Sequence, residues 1–266
     1  MAAGPSICAG WCHRGELLPR RVLVDNTAPA TLQALQLDMV ERDKNSRDQP
    51  AYPLAEAARY LRLPAPTLRS WVLGRSYPKA GGLEQFQPLI PLAQEKPPAL
   101  SFYNLVEAHV LHSLRSTHGV EIKEVRKAIA YAESQLNIQR LLLHQELRTG
   151  AGQLFLEKYG ELINLNRSGQ IAMRKLFEGY LERVQWDEWQ FPVRLYPFVV
   201  GESPAARTIA IDPAVAFGRP VVARTRVSTA TIVERLDAGE TPEELAEDYG
   251  LKPEEIEEAV IYERAA

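Results

Sequence analysis

Hydrophobic positions recur with helical period along most of the chain, and short alternating runs interrupt them. From Tyr52 onward, Leu54, Ala57, Ala58 and Leu61 fall on one helical face, and the pattern breaks at Leu63-Pro64. A second helix opens with Pro66 in its first turn and brings Leu68, Trp71 and Val72 inward. Two short helices joined by a tight turn make a helix-turn-helix. A Pro- and Gly-rich stretch over residues 74–98 follows, in which Leu89-Ile90 is placed as one strand of a wing. Ser101 caps an amphipathic helix carrying Leu105, Val106, Val110, Leu111 and Leu114, which stops at Gly119. A further helix is predicted over 121–136, with Ile122, Val125, Ile129 and Ala132 inward and Lys123, Arg126 and Lys127 outward, and another over 139–147.

The middle of the chain changes character. Leu154-Phe155-Leu156 and Leu162-Ile163-Asn164-Leu165 flank Lys158-Tyr159-Gly160 and predict a small hairpin. A short helix over 171–184 and an edge strand over 191–200, interrupted by Pro192 and Pro197, complete the connector. Thr208-Ile-Ala-Ile211 reads as a strand, Asp212-Pro213 as a turn and Pro220-Val221-Val222 as a second short strand. Helices are predicted over 229–238, 242–249 and 253–262, with Thr241 and Lys252 before first-turn prolines and Gly239 and Gly250 as stops. The expected fold is mainly α with small β elements (α+β). It comprises a winged helix-turn-helix domain and a small C-terminal strand-and-three-helix domain, itself helix-turn-helix-like. The expected boundaries are a disordered tail over 1–49, a DNA-binding domain over 50–150, a connector over 151–203 and a C-terminal domain over 204–266.

A diffuse internal echo links the two ends at an offset of 188 residues. Ala57, Ala58, Leu61, Leu63, Leu68 and Val72 correspond to Leu245, Ala246, Tyr249, Leu251, Ile256 and Val260. Gly250 occupies the turn position where such units prefer a left-handed backbone. Any two short packed helices can share this spacing, so no duplication follows from it.

Charge separates the two units. Over 52–79 Arg59, Arg62, Arg69, Arg75 and Lys79 face the single acid Glu56, for a net charge of +4. Over 241–266 nine acids face Lys252 and Arg264, for −7. Duplex DNA carries about one negative charge per 1.7 Å, and phosphate attraction supplies much of a protein's affinity for it. The first unit can therefore dock on DNA, and the second would be repelled. In a DNA-reading arrangement the second helix enters the major groove N-terminus first, with Thr67, Arg69 and Ser70 outward and Arg75 and Lys79 suited to phosphates beside a wing. Arg69 is the base-reading candidate, because arginine binds guanine bidentately. Arg59 and Arg62 read as solvated surface.

Composition narrows the class. The net charge of the whole chain is only −3, with 45% hydrophobic and 24% charged residues, as in ordinary globular proteins. Both cysteines, Cys8 and Cys12, lie in the tail, which excludes a disulfide framework. With His13 they fall one ligand short of a closed zinc site. His109 and His112 share a helix face as core or surface residues. No apolar run is long enough to span a membrane, and a cytoplasmic protein is expected. Phosphate-loop, nucleophile-elbow and metal-ligand spacings are absent, so no enzyme and no cofactor are expected. Asp187 and Glu188 are adjacent carboxylates, and neighbours along a chain rarely face one cleft together. Trp186, Trp189, Phe191 and Tyr196 could line a ligand-sensing pocket, although such aromatics more often build a core.

The stretch Thr208-Ile-Ala-Ile-Asp-Pro-Ala-Val-Ala-Phe-Gly-Arg-Pro-Val-Val-Ala-Arg-Thr-Arg-Val227, followed by Asp237-Ala-Gly-Glu-Thr-Pro-Glu-Glu-Leu-Ala-Glu-Asp-Tyr-Gly-Leu251, resembles the domain of unknown function 433. That domain is associated with antitoxins of type II toxin–antitoxin systems. Residues 52–131, with the Leu105-Val-Glu-Ala-His-Val-Leu111 helix, are similar to a MerR-like helix-turn-helix. The layout resembles a long VapB-like antitoxin. One departure is Ala223, where the family usually has glycine before a Thr-Arg pair; here Arg224 intervenes.

The resemblance implies a PIN-like ribonuclease toxin and operator DNA as partners and repression of the chain's own operon; the match of operator half-sites to protein two-folds adds the expectation of a homodimer. Glu243, Glu247 and Glu254 could then occupy the toxin's RNA path as a nucleic-acid mimic. Arg219, Arg224 or Arg226 could pair with its catalytic carboxylates, or brace local turns, with Arg226 the expected brace. The alternative is a MerR-like transcriptional regulator whose C-terminal domain only oligomerises or senses a ligand.

Overall fold

The computed structural model describes residues 46–79, 82–116, 122–137, 139–144, 147, 150–162, 167–199 and 207–264. The Cys8, Cys12 and His13 cluster and most of the expected tail lie outside them. Residues 46–49, placed in that tail by composition, belong to the fold. Arg47 is buried and pairs with Asp187 at 2.8 Å, and Asp48 accepts from Arg140 and Ser101.

The first module is built on a three-stranded antiparallel sheet. β1 (Tyr52–Pro53) pairs with β5 (Pro98–Leu100), which pairs with β4 (Gln94–Glu95). From β1 the chain enters α1 (Leu54–Tyr60) and, after a tight turn, α2 (Ala65–Leu73). Ala57, Ala58, Leu61, Leu68, Trp71 and Val72 are buried as the period requires. Gly74, at φ 74°, ends α2 and releases the chain into an antiparallel hairpin of β2 (Arg75–Lys79) and β3 (Gly82–Phe86). Leu89-Ile90 is not a strand. Both its N–H groups donate to the Trp71 carbonyl, at 2.7 and 3.2 Å, tying the returning chain to the end of α2.

α3 (Phe102–Ser116) is the central element, buried over most of its length. Ser101 caps it, its hydroxyl accepting from Asn104 N–H at 3.2 Å, while Asn104 Oδ1 accepts from Ser101 N–H at 3.1 Å. Gly119, the expected stop, lies outside the described residues. α4 (Ile122–Leu136) follows, and of the helix expected over 139–147 the described residues show a 3-10 turn at Leu141–Leu143.

The expected hairpin around Tyr159 is instead α5 (Gly150–Leu162), which packs on α4, and α6 (Arg167–Leu181) packs on α3. Phe155 and Tyr159, four apart and both fully buried, stack on the inner face of α5 with centroids 5.9 Å apart. Helical packing thus overrides the turn signal of Gly160. That glycine is a close-approach point, where an added Cβ would meet Gln170 Cγ at 3.1 Å.

β6 (Val184–Trp186) and β7 (Pro192–Leu195) form a bulged hairpin. Leu195 exchanges both backbone hydrogen bonds with Ile211, at 2.9 and 2.8 Å, so pairing crosses the boundary expected near residue 203. β8 (Ile209–Ala210) pairs with β9 (Val221–Val222), and α7 (Thr229–Asp237), α8 (Pro242–Tyr249) and α9 (Pro253–Arg264) follow. The core of this C-terminal module comprises Ile209, Val222, Ile232, Leu245, Leu251, Ile256, Ala259 and Tyr262, joined by Val199 from the preceding segment.

Candidate nucleic-acid and partner interfaces

The turns of the two modules close in the same way. Leu63 N–H donates to the Ala58 carbonyl at 2.9 Å, and Leu251 N–H donates to the Ala246 carbonyl at 3.0 Å. Between each pair stands one left-handed residue, Arg62 at φ 53° and Gly250 at φ 61°. Arginine rarely adopts this conformation, and its side chain accounts for it here. The guanidinium lies over the Tyr262 ring, 5.3 Å from its centroid. It also donates to the Ile261 and Tyr262 carbonyls at 3.1 and 3.3 Å, near the negative end of α9.

Arg59 pairs with Glu263 at 2.6 Å, and the buried Tyr262 hydroxyl donates to the Tyr60 carbonyl at 2.9 Å. Burial holds the Tyr262 phenol well above its ordinary range. Arg62 is therefore not solvated surface, and Arg59, which stays exposed, is held by an ion pair. They join α9 to α1, and no sequence signal reports a contact spanning some 200 residues.

Along α2 an open groove of about 490 Å³ is lined by Pro66, Thr67, Arg69, Ser70, Gly74 and Arg75. Arg69 and Arg75 are exposed, and among the described residues no carboxylate pairs with either. Thr67 is not an outward position: it is only 9% exposed, although it contributes to the groove floor. The Ser70 hydroxyl donates to the Thr67 carbonyl at 2.7 Å, which leaves its oxygen as an acceptor on the groove side. Lys79 lies on β2, and its side chain falls outside the described residues. The structure thus gathers four of the five sequence candidates around one groove.

In the C-terminal module Glu243, Glu247 and Glu254 are exposed on α8 and the first turn of α9. The three arginines divide differently from expectation. Arg224 is the brace, bidentate to Glu255 at 2.9 and 2.6 Å and donating to the Gly250 carbonyl at 2.6 Å. Its guanidinium holds the Glu255 carboxyl below the ordinary carboxylate range. Arg226 takes the left-handed position of the β9–α7 turn, at φ 64°, and is exposed. Arg219 is exposed after the 3-10 turn at Ala216–Gly218.

Trp186, Trp189, Phe191 and Tyr196, the alternative ligand-sensing set, do not line the pocket that the described residues form near His109. Trp189 is 52% exposed, Tyr196 is buried, and Asp187 pairs with Arg47 and caps the Trp189 and Phe191 N–H groups. A smaller pocket of about 170 Å³ lies instead among Leu61, Arg62, His109, His112, Tyr180 and Phe198. Among the described residues no group of three or more His, Cys, Asp or Glu could hold a metal ion, and no helix is long and apolar enough to cross a membrane.

Comparison with known proteins places both modules. Residues 209–262 match the family described as "Protein of unknown function (DUF433)", and residues 50–129 match "Putative DNA-binding HTH domain". A Mycobacterium tuberculosis protein named "Putative antitoxin VapB45" is 30% identical over 232 residues, covering 80% of this chain and 93% of that protein. "Uncharacterized protein Rv2308" of the same organism is 28% identical over 221 residues, covering 81% and 90%. The crystal structure of Rv2018 from Mycobacterium tuberculosis shares the fold, with a TM-score of 0.58 at 23% identity over 79% of this chain and 97% of that one. With a helix-turn-helix domain, a DUF433 domain and this coverage, the chain belongs to the family of the protein named "Putative antitoxin VapB45".

Proposed function

We propose that this protein is the antitoxin of a type II toxin–antitoxin system. Its helix-turn-helix, MerR-like with the β2–β3 hairpin as a wing, binds operator DNA as a symmetric dimer and represses its own operon. Its C-terminal module neutralises a PIN-like ribonuclease. The observation that carries the DNA half is the groove along α2, where exposed Arg69 and Arg75 lie unneutralised beside a helix set to enter a major groove. The toxin half is supported by the relative's name and by the exposed acids Glu243, Glu247 and Glu254, which could mimic RNA. Arg219 and Arg226 remain available to a partner's carboxylates, whereas Arg224 is engaged by Glu255.

The test uses the full chain, because truncation near residue 203 would strip α9 from α1. DNA from upstream of its own gene should bind with an affinity that falls steeply with salt. Arg69→Ala should cost about 1–3 kcal/mol and relax specificity at one base pair, and Arg75→Ala should reduce the salt slope by about one phosphate. Co-expression with the ribonuclease encoded beside the gene should yield a complex that masks its activity. Salt-insensitive DNA binding, or a nuclease left fully active, would overturn the corresponding half.

A MerR-like regulator whose C-terminal module oligomerises or senses a ligand is the second reading. The pocket beside the helix-turn-helix turn, among Leu61, His109 and Tyr180, favours it. Operator binding without nuclease capture would select it.

A further inference from the structure

Phe217 is 94% exposed, against 1–2% for Phe102 and Phe177. Its backbone is as unusual as its exposure. Ala216, Phe217 and Gly218 are consecutive left-handed residues, at φ 47°, 56° and 76°, and two of them carry a Cβ that disfavours this region. A strained backbone that places a whole phenyl ring in water satisfies neither local preference nor burial.

The surrounding loop is held at its base and by packing of Val215, Ala216 and Gly218. Asp212 fixes its base, accepting from Ala214 N–H at 2.9 Å and from Arg194 at 2.8 and 3.1 Å. Val215 N–H donates to the Asp212 carbonyl and Gly218 N–H to the Val215 carbonyl, both at 2.9 Å. Val215 and Ala216 pack on Tyr196, Ala210 and Val221. Gly218 sits so close to Tyr52 that a Cβ there would run into the phenol hydroxyl. The ring is thus presented by a fixed support.

We propose that Phe217 is a preorganised anchor that inserts into an apolar pocket bordered by carboxylates on the partner protein. It rests on the antitoxin reading and names the residue that would hold the toxin. Charge selects the pocket's rim. Residues 207–227 carry Arg207, Arg219, Arg224 and Arg226 against Asp212 alone. Asp212 and Arg224 are paired internally, with Arg194 and Glu255, which leaves Arg219 exposed directly after the loop and Arg226 exposed in the turn that follows β9. A metal-dependent ribonuclease gathers carboxylates at its centre, so cations beside an aromatic anchor fit a pocket at that rim. An aromatic with a neighbouring arginine is also the residue chemistry of interface hot spots, and a rigid anchor loses little entropy on docking. Duplex DNA is the less favoured occupant, because the same module carries the acidic α8 and α9.

The test is calorimetric titration of the full-length protein and its Phe217→Ala, Phe217→Gly and Arg219→Ala variants with the ribonuclease encoded beside the gene. Phe217→Ala and Phe217→Gly should weaken binding at least about 30-fold. Phe217→Gly should melt no lower than the parent, since glycine accepts φ near 56° without strain. Arg219→Ala should act less, mainly through on-rate and salt dependence. Unchanged affinity of both Phe217 variants for a nuclease that the parent binds would refute the anchor and leave the antitoxin reading standing. A parent protein that does not bind the nuclease would remove that reading and the anchor with it. Loss of operator affinity with nuclease binding retained would make Phe217 a wedge between base steps and overturn the anchor.

Discussion

Glu107 sits at the centre of α3, 2% exposed, and its environment decides what it can do. Burial pushes its carboxyl above the ordinary range, while two bonds from Arg140, at 3.0 and 2.9 Å, and one from Asn104 at 3.0 Å pull the other way. Such a pair is costly to break from one side, because the remaining charge stays buried without compensation. Arg140→Ala should destabilise the protein by about 3 kcal/mol in chemical denaturation, and adding Glu107→Gln should recover part of that loss. No recovery would mean that Arg140 acts through packing alone.

His109, also on α3, is fully buried with Nε2 3.1 Å from the Tyr180 carbonyl. Burial pushes its imidazole down to about 3. The unfolded chain takes up this proton below about pH 6.5, whereas the folded chain refuses it until near pH 3. The unfolded state binds more protons across that window, so stability rises with pH there: it is fully present above pH 6.5 and is lost on acidification. Melting temperature should fall between pH 7 and pH 4, with a smaller fall for His109→Gln. An unchanged pH dependence in that variant would place the effect on the carboxylates.

Among the elements, α8 shows how far local chemistry reaches. Thr241 accepts from Glu244 N–H at 3.2 Å, and the Glu244 carboxylate accepts from Thr241 N–H at 2.8 Å, closing a capping box with Pro242 at the first helical position. The bond from Thr241 N–H holds the Glu244 carboxyl below its ordinary range. Thr241→Ala should cost about 1 kcal/mol by urea titration. A cost indistinguishable from zero would show that α8 is held by its buried face alone. α5 is the contrary case. Lys158-Tyr159-Gly160 carries the composition of a turn, but Phe155 and Tyr159 stack within one helix face. The pairing partner that decides between strand and helix there is α4, which no local window contains.

At the scale of the molecule, α9 is bonded to α1. Tyr262, 3% exposed, packs in the C-terminal core and donates to the Tyr60 carbonyl, while Arg59 and Arg62 reach Glu263 and the end of α9. The modules are similar in their turns and opposite in charge, and this junction joins them into a single unit. Tyr262→Ala should cost about 3 kcal/mol and raise amide exchange within α1, some 200 residues away. Exchange that rises only in α7–α9 would show two independent modules.

Sequence alone settled what depends on neighbours along the chain. The helix-turn-helix periodicity, the caps at Ser101 and Thr241, the left-handed Gly250 and the opposed charges of the two ends all follow from local spacing and side-chain type. Tertiary structure decided what depends on distant partners: the helical state of 150–162, the burial of Thr67, the choice of Arg224 over Arg226 as brace and the use of Arg59 and Arg62 as a junction. The physical reason is common to all four. A side chain's partner is fixed by packing across the fold, and the free energy of that packing exceeds the small local preferences that a sequence window can register.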